Sequence, residues 1–214
     1  MEKIKASVLL LTQNNESCLK RCLDSLIEFE EVVVVDGGSK DKTLEIAASY
    51  PNVVIHKNPW PGFIAQRNHS LDCASFDWCF MMDSDEMATP ELVQEIRKTL
   101  LNKPEKKIYN VMRTEFYLGK AIEFGFGRSN WQERLLDKRH VRYTGGNHHQ
   151  HLIDGVHQSQ KKDEIGELNP NLRVLHDESY GLKDWISKLP RFSILTAEEK
   201  IEKGRKVGAL DVLF

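Results

Sequence analysis

The chain contains no apolar stretch approaching the ~20 residues that a membrane-spanning helix needs, and no signal peptide opens it. Both absences predict a cytoplasmic location, with any membrane contact peripheral and on the inner face of the cytoplasmic membrane. Cysteine is scarce: Cys18, Cys22, Cys73 and Cys79 are the only four among 214 residues, and no C-x2-C pair occurs. That spacing excludes a zinc ribbon and a disulfide framework and predicts reduced, buried thiols. Excess charge is missing too, with 30 Lys and Arg against 32 Asp and Glu for a formal net charge of -2. A generally basic nucleic-acid binder is thereby excluded. An anionic partner has to be met locally, as near Arg97–Lys107, where five basic residues stand against Glu105. Neither G-x-G-x-x-G nor the Walker lysine pattern is present, so there is no dinucleotide fingerprint and no P-loop. Internal repeats and low-complexity segments are absent as well.

What is present is a regular alternation. Ala6 to Thr12 is a Leu-rich run suited to a strand buried on both faces, and Leu19, Cys22, Leu23, Leu26 and Ile27 then repeat at helical spacing. Val32 to Val35 predicts a second buried strand, Thr43 to Tyr50 a helix, Val53 to His56 a short strand, and Ile64 to Ala74 another helix. The run Trp78-Cys79-Phe80-Met81-Met82 stops abruptly at Asp83-Ser84-Asp85-Glu86, after which Thr89 and Pro90 form a cap and first turn for a helix to about Leu101. This is an α/β pattern, predicting a Rossmann-like, mostly parallel central sheet with helices on both faces. From Ile108 the pattern changes to a strand through Leu118, a Gly-rich aromatic stretch, a His cluster near 148 and an amphipathic segment from Leu182 to about Lys206. That half is expected to supply an acceptor site and a lid. Residues 209–214 read as the remnant of an engineered protease site and are set aside from fold reasoning.

In an open parallel sheet the ligand crevice lies outside the carboxyl ends of the strands, so Asp83 and Asp85 stand where a metal and its phosphate ligand would sit. Asp36-Gly37-Gly38-Ser39 ends another strand in the same way. Its carboxylate can accept hydrogen bonds from a base or ribose while the glycines admit a ligand close to the backbone; equally, this can be a plain strand-to-helix turn whose Asp caps the helix.

Together these motifs resemble the inverting glycosyltransferases of family 2, with a GT-A fold. The resemblance runs through Thr12-Gln13-Asn14-Asn15-Glu16, Cys22-Leu23-Asp24-Ser25-Leu26, the turn from Asp36 to Thr43, Gln66-Arg67-Asn68 and Asp83-Ser84-Asp85-Glu86. Arg113-Thr114-Glu115 through Ile122, Arg134-Leu135-Leu136 and Leu175-His176 are similar to the branch that glucosylates the bacterial lipopolysaccharide core. The resemblance implies one GT-A domain over residues 1–207, with a nucleotide-sugar half at 1–103 and an acceptor and lid half at 104–207. It implies transfer of a hexose, glucose from UDP-glucose first, with a divalent cation, Mg2+ or Mn2+, onto a saccharide or glycolipid acceptor such as the lipopolysaccharide or lipooligosaccharide inner core. Thr12, Asn14, Glu16, Asp36, Gly38, Arg67, Asp83 and Ser84 would line the donor, and Asp85, Asp83 and His176 would hold the metal. Lys188 and Arg191, three residues apart, are candidate diphosphate clamps on the lid.

Inversion needs a general base on the acceptor hydroxyl. Relatives of this branch commonly carry His-Glu where this chain has Asn147-His148-His149-Gln150-His151. An imidazole can act as base near neutral pH, so His149 is the first candidate, ahead of His148 and Glu133. The three histidines lack the spacing of a zinc helix. Trp185, Ile186, Leu189 and Phe192, interleaved with Lys183, Lys188 and Arg191, suit either core packing or an anionic membrane face. Two rival readings are a nucleotide-sugar or glycan-binding module without catalysis and a haloacid-dehalogenase-like phosphatase. The phosphatase would use Asp83 as nucleophile and expects Thr or Val where Met87 stands.

Overall fold

The computed structural model describes residues 2–117, 120–122, 130–145, 150–153 and 165–178, with positions 194, 201 and 204. The first half alternates as its periodicity predicts: β1 (Ile4–Thr12), α1 (Leu19–Asp24), β2 (Phe29–Asp36), α2 (Thr43–Ala48), β3 (Val53–Lys57), α3 (Phe63–Cys73) and β4 (Trp78–Asp83). A short β5 (Glu86–Ala88), absent from the sequence reading, precedes α4 (Pro90–Leu101). The second half is strand-rich, with β6 (Ile108–Tyr117), β7 (Lys120–Ala121), β8 (Asn130–Asp137), β9 (Arg142–Gly145), β10 (Gln150–Ile153), β11 (Ile165–Glu167) and β12 (Arg173–Glu178).

Local chemistry sets the helix ends. The Thr89 side chain accepts from the Leu92 amide at 3.3 Å and Pro90 follows it, as expected for the start of α4. By contrast, α2 stops at Ala48 rather than Tyr50, because Pro51 disfavours helical backbone at the residue before it. In α1 the Ser25 hydroxyl donates back to the Cys22 carbonyl at 2.7 Å and the helix ends, leaving Ile27 exposed rather than on a continuing helical face.

The main sheet runs β3-β2-β1-β4-β8-β6-β12-β5, with β7 and β11 also paired to β6. Strands β3, β2, β1 and β4 are mutually parallel; β8 is antiparallel to both β4 and β6, β12 is parallel to β6, and β5 is antiparallel to β12. One sheet therefore joins the two halves of the chain. On one face α1, α2 and α4 bury Leu19, Leu23, Ala47, Leu92 and Ile96 against Val8, Leu10, Val34, Phe80 and Met82. On the other, Leu71 of α3 with Val141 and Tyr143 covers Leu9, Val33, Val35 and Met81. Each fully buried Leu, Phe or Met contributes roughly 1.5–3 kcal/mol, which anchors the carboxyl ends of β1, β2 and β4 side by side. All four cysteines are free thiols; Cys18, Cys22 and Cys79 are buried and Cys73 is half-buried.

Candidate active site

At the carboxyl ends of β1 and β2 two loops are tied together. The Asn14 side-chain oxygen accepts from the Lys40 amide at 2.8 Å, and the Asn14 amide donates to the Ser39 hydroxyl at 2.9 Å. Glu16 accepts from the Lys42 amide at 2.9 Å, while the Glu16 amide donates to Asp41 at 3.1 Å. Asn14 holds a left-handed φ of 57°, which Asn tolerates better than most residues. Asp36, 2% exposed, accepts from the Gly38 and Ser39 amides, each at 3.0 Å to Oδ2, and from the Thr12 hydroxyl at 3.4 Å. Gly38 has a φ of 105°, a backbone state that penalises any side chain. Asp36 therefore closes its own turn rather than capping α2, whose N-cap Lys42 carries no side-chain hydrogen bond, and Thr12 lies directly beside it. Asn14 and Glu16 hold loop to loop.

The three residues of Gln66-Arg67-Asn68 each face a different neighbour. Gln66, fully buried, exchanges hydrogen bonds with Asn58, whose own amide donates to the Asp36 carbonyl at 2.9 Å. Asn68 exchanges a pair with the backbone of Tyr143, at 2.8 and 2.9 Å. Arg67 lies between them with its guanidinium carbon 5.6 Å from the centre of the Tyr143 ring and Nη2 donating to Asp83 Oδ1 at 3.1 Å. Its Nε–H is buried with no acceptor among the described residues, a donor left over at the crevice.

Beyond β4 the chain turns through buried Ser84 to Asp85, and the Glu86 side chain closes the turn by accepting from the Asp83 amide at 2.8 Å. Three strands of the second half then surround these acids. Arg134 reaches Glu86 Oε1 at 2.6 Å and the Met81 carbonyl at 3.2 Å, with Asp83 Oδ2 at 3.7 Å. Arg134 is the extra residue of a β-bulge: Tyr109 pairs with Leu135 but Asn110 pairs with Glu133. A bulge re-aims a side chain, here into the acidic turn. Arg113 lies 3.4 Å from Glu86 and donates through Nε to Glu115 at 2.6 Å. Glu115 binds Nδ1 of His176, and Nε2 of His176 faces Asp85 at 3.4 Å. The charges form a continuous chain, Asp83–Arg134–Glu86–Arg113–Glu115–His176–Asp85.

These contacts shift the ionisation of the acids and the imidazole. Burial would raise the Asp83 carboxyl, but the guanidiniums of Arg67, Arg134 and Arg113 hold it well below the usual range. Burial raises Glu86, and the nearby Asp83 charge adds to this against the pull of Arg134. Burial would lower His176, yet its hydrogen bonds to Asp85 and Glu115 outweigh that and push it up to about 10.

Of the expected metal residues, Asp85 and His176 come together. Asp83 is directed toward Arg67, 3.1 Å from Oδ1, and Arg134, 3.7 Å from Oδ2, with 35% of its side chain still exposed. Among the described residues no group of three or more His, Cys, Asp or Glu converges as a ready metal site. Glu133 is half-buried on β8, opposite Asn110, and its charge is felt at Tyr143 rather than at His176. His148, His149, Lys188 and Arg191 lie outside the described residues. Glu86 and Glu115 stand inside motifs that the sequence singles out but carry no assigned role there; the signal available was a third acid directly after Asp85 and an Arg-x-Glu within a strand. A separate open cleft of 710 Å³, lined by residues including Ser17, Arg21, Met87 and Leu175, is not lined by Asp83, Asp85 or His176.

Residues 7–150, well over half the chain, match the family described as Glycosyl transferase family 2. The chain belongs to that family. This family 2 glycosyltransferase is 26% identical over 217 residues to the lipopolysaccharide core biosynthesis glycosyltransferase LpsC of Rhizobium meliloti, covering 99% of this chain and 77% of the relative. It is 27% identical to an uncharacterized glycosyltransferase of Rickettsia typhi, covering 94% of this chain and 70% of that one. Among solved structures, S. aureus TarS bound to UDP-GlcNAc superposes with a TM-score of 0.59 at 16% identity, over 90% of this chain and 66% of that one. Glucosyl-3-phosphoglycerate synthase of Mycobacterium tuberculosis, in complex with Mn2+, UDP and glucosyl-3-phosphoglycerate, gives 0.57 at 18% identity, over 90% and 78%. These likenesses show the glycosyltransferase fold, and family membership removes the phosphatase reading. Among the described residues no helix is long and apolar enough to cross a membrane.

Proposed function

We propose that this glycosyltransferase moves glucose from UDP-glucose, with inversion and with a divalent cation, to a hydroxyl of the lipopolysaccharide or lipooligosaccharide inner core. The observation that carries the reading is the meeting of Asp85 and His176 just beyond the carboxyl end of β4, 3.4 Å apart, with Arg67 on Asp83 at the end of that strand. One carboxylate oxygen and one imidazole nitrogen are a donor set that a divalent cation accepts, and the imidazole favours Mn2+ over Mg2+, a hard ion that prefers an all-oxygen shell. When bound, such an ion neutralises charge developing on the leaving diphosphate.

The chain's own residues supply the rest. Asp85 and His176 hold the cation, and the Arg67 guanidinium, beside Asp83, donates to the diphosphate or base. Asp83, kept anionic by its guanidinium neighbours, accepts from the ribose, with Ser84 in the same turn. Thr12 and Asp36 border the base, where Gly38 leaves the backbone open. Asn14 and Glu16 shape that end through their loop contacts. Lys188 and Arg191 close on the diphosphate. His149, ahead of His148 and Glu133, takes the acceptor hydroxyl proton as oxygen attacks the anomeric carbon and the bond to the diphosphate breaks. The name of LpsC and the glucosyl product and UDP in the mycobacterial complex support the choice of acceptor and donor.

The test is thermal stabilisation by UDP, GDP, CMP and TDP, each with Mn2+ and with EDTA, for the wild type and Asp85→Ala. A UDP-selective shift that needs Mn2+ and vanishes in the variant is expected, followed by UDP release from UDP-glucose on adding core oligosaccharide. No shift with any nucleotide refutes the donor assignment.

A further inference from the structure

His176 is 8% exposed and emerges from β12 between two acidic strands: the register sets it opposite Glu115 on β6 and opposite Glu86 on β5. A buried imidazole has two nitrogens to satisfy, and here they have different partners, Glu115 at Nδ1 and Asp85 at Nε2. Which nitrogen meets Asp85 is decided on the Glu115 side. Glu115 Oε1 accepts from Arg113 through both Nε and Nη2, which leaves Oε2 to His176, and Arg113 is in turn held by buried Glu86. Arg113 and Glu115 are two residues apart on one strand and so share a face of the sheet. Turning the ring over would bring carbon to Glu115 and leave the carboxylate without its partner.

We infer that Glu115 is a positioning residue: anchored by Arg113, it orients His176 so that Nε2 faces Asp85 and the two are placed to hold a cation together. The inference rests on the cation reading above and adds a support to it. Ligating histidines whose second nitrogen binds a carboxylate hold their ring orientation and tautomer, and loss of such a partner weakens metal affinity by roughly 10- to 100-fold.

The experiment is Mn2+ titration followed by electron paramagnetic resonance, in the presence of UDP, on the wild type, Glu115→Ala, Glu115→Gln and Asp85→Ala. UDP binding in EDTA is measured alongside. Glu115→Ala is expected to lose roughly 10- to 100-fold in Mn2+ affinity with metal-free UDP binding unchanged. Glu115→Gln, whose amide oxygen still accepts from Nδ1–H, is expected to keep most of the affinity. Wild-type Mn2+ affinity in a folded Glu115→Ala, with Asp85→Ala impaired, overturns the role of Glu115. Wild-type affinity in Asp85→Ala overturns the cation reading itself. Should Glu115→Ala not fold, ¹⁵N NMR of the His176 ring in the wild type with Mg2+ and UDP decides: a protonated Nδ1 with no hydrogen on Nε2 supports the role, and a ring protonated on Nε2, alone or with Nδ1, overturns it.

Discussion

Arg134 Nη2 lies 2.6 Å from Glu86 Oε1, and both side chains are almost wholly removed from solvent. Pairs of this kind are costly to break from one side, because the surviving charge stays buried without its partner. Glu86→Ala is expected to lower unfolding free energy by about 3–5 kcal/mol. Replacing Arg134 by Met in the Glu86→Ala background should recover part of that loss. Urea denaturation of the singles and the double gives the coupling, and additive losses would show that the two residues act independently.

Glu31 makes a second buried network at the opposite end of the sheet. It accepts from the Ser7 hydroxyl, from the Ser75 hydroxyl at 2.6 Å and from the Ser75 amide at 2.8 Å. Burial opposes ionisation, but these hydrogen bonds prevail and lower its carboxyl. A depressed carboxyl contributes stability that is present above its unfolded value of about 4.3 and is lost as pH falls through the folded value. Glu31→Gln is therefore expected to lose about 1–3 kcal/mol at neutral pH, since its amide group faces donors. Its acid limb, measured by denaturation between neutral pH and pH 3, should be shallower than that of the wild type.

Arg67 joins Asp83 to the Tyr143 ring and keeps one donor spare. Lysine retains the charge but not the planar fork. Arg67→Lys is expected to weaken UDP binding by about tenfold, the value of one charge-assisted hydrogen bond, with little change in Tm. Calorimetric titration of UDP with Mn2+ measures it; unchanged affinity would remove Arg67 from the donor site.

Much of the first half is legible because its signals are local. Buried strands show as apolar runs, Thr89-Pro90 announces α4, and the acids at the ends of β2 and β4 mark the crevice. Gln66-Arg67-Asn68 reads as a motif, yet its meaning emerges only when three successive side chains meet Asn58, Asp83 and Tyr143. The acidic network was less legible for a physical reason: it joins residues as far apart as Asp85 and His176, and no periodicity encodes such a meeting. Nor does a sequence reveal that Arg134 occupies a bulge, since the extra residue exists only relative to its partner strand. The three-residue β5 has no periodicity of its own and is defined by pairing with β12.

The cross-linked loops after β1 and β2 bear on how a nucleotide is received. Asn14 bonds to Ser39 and Lys40, Glu16 to Lys42, and the Asn15 amide donates to the Thr43 hydroxyl at 2.7 Å, so the two segments move as one body. Their ordering entropy is surrendered when the chain folds, not when the donor arrives. Loosening a single tie, as in Asn14→Ala, then acts as an entropic tax on recognition: affinity drops through slower capture or faster escape, although no atom that touches the nucleotide has changed.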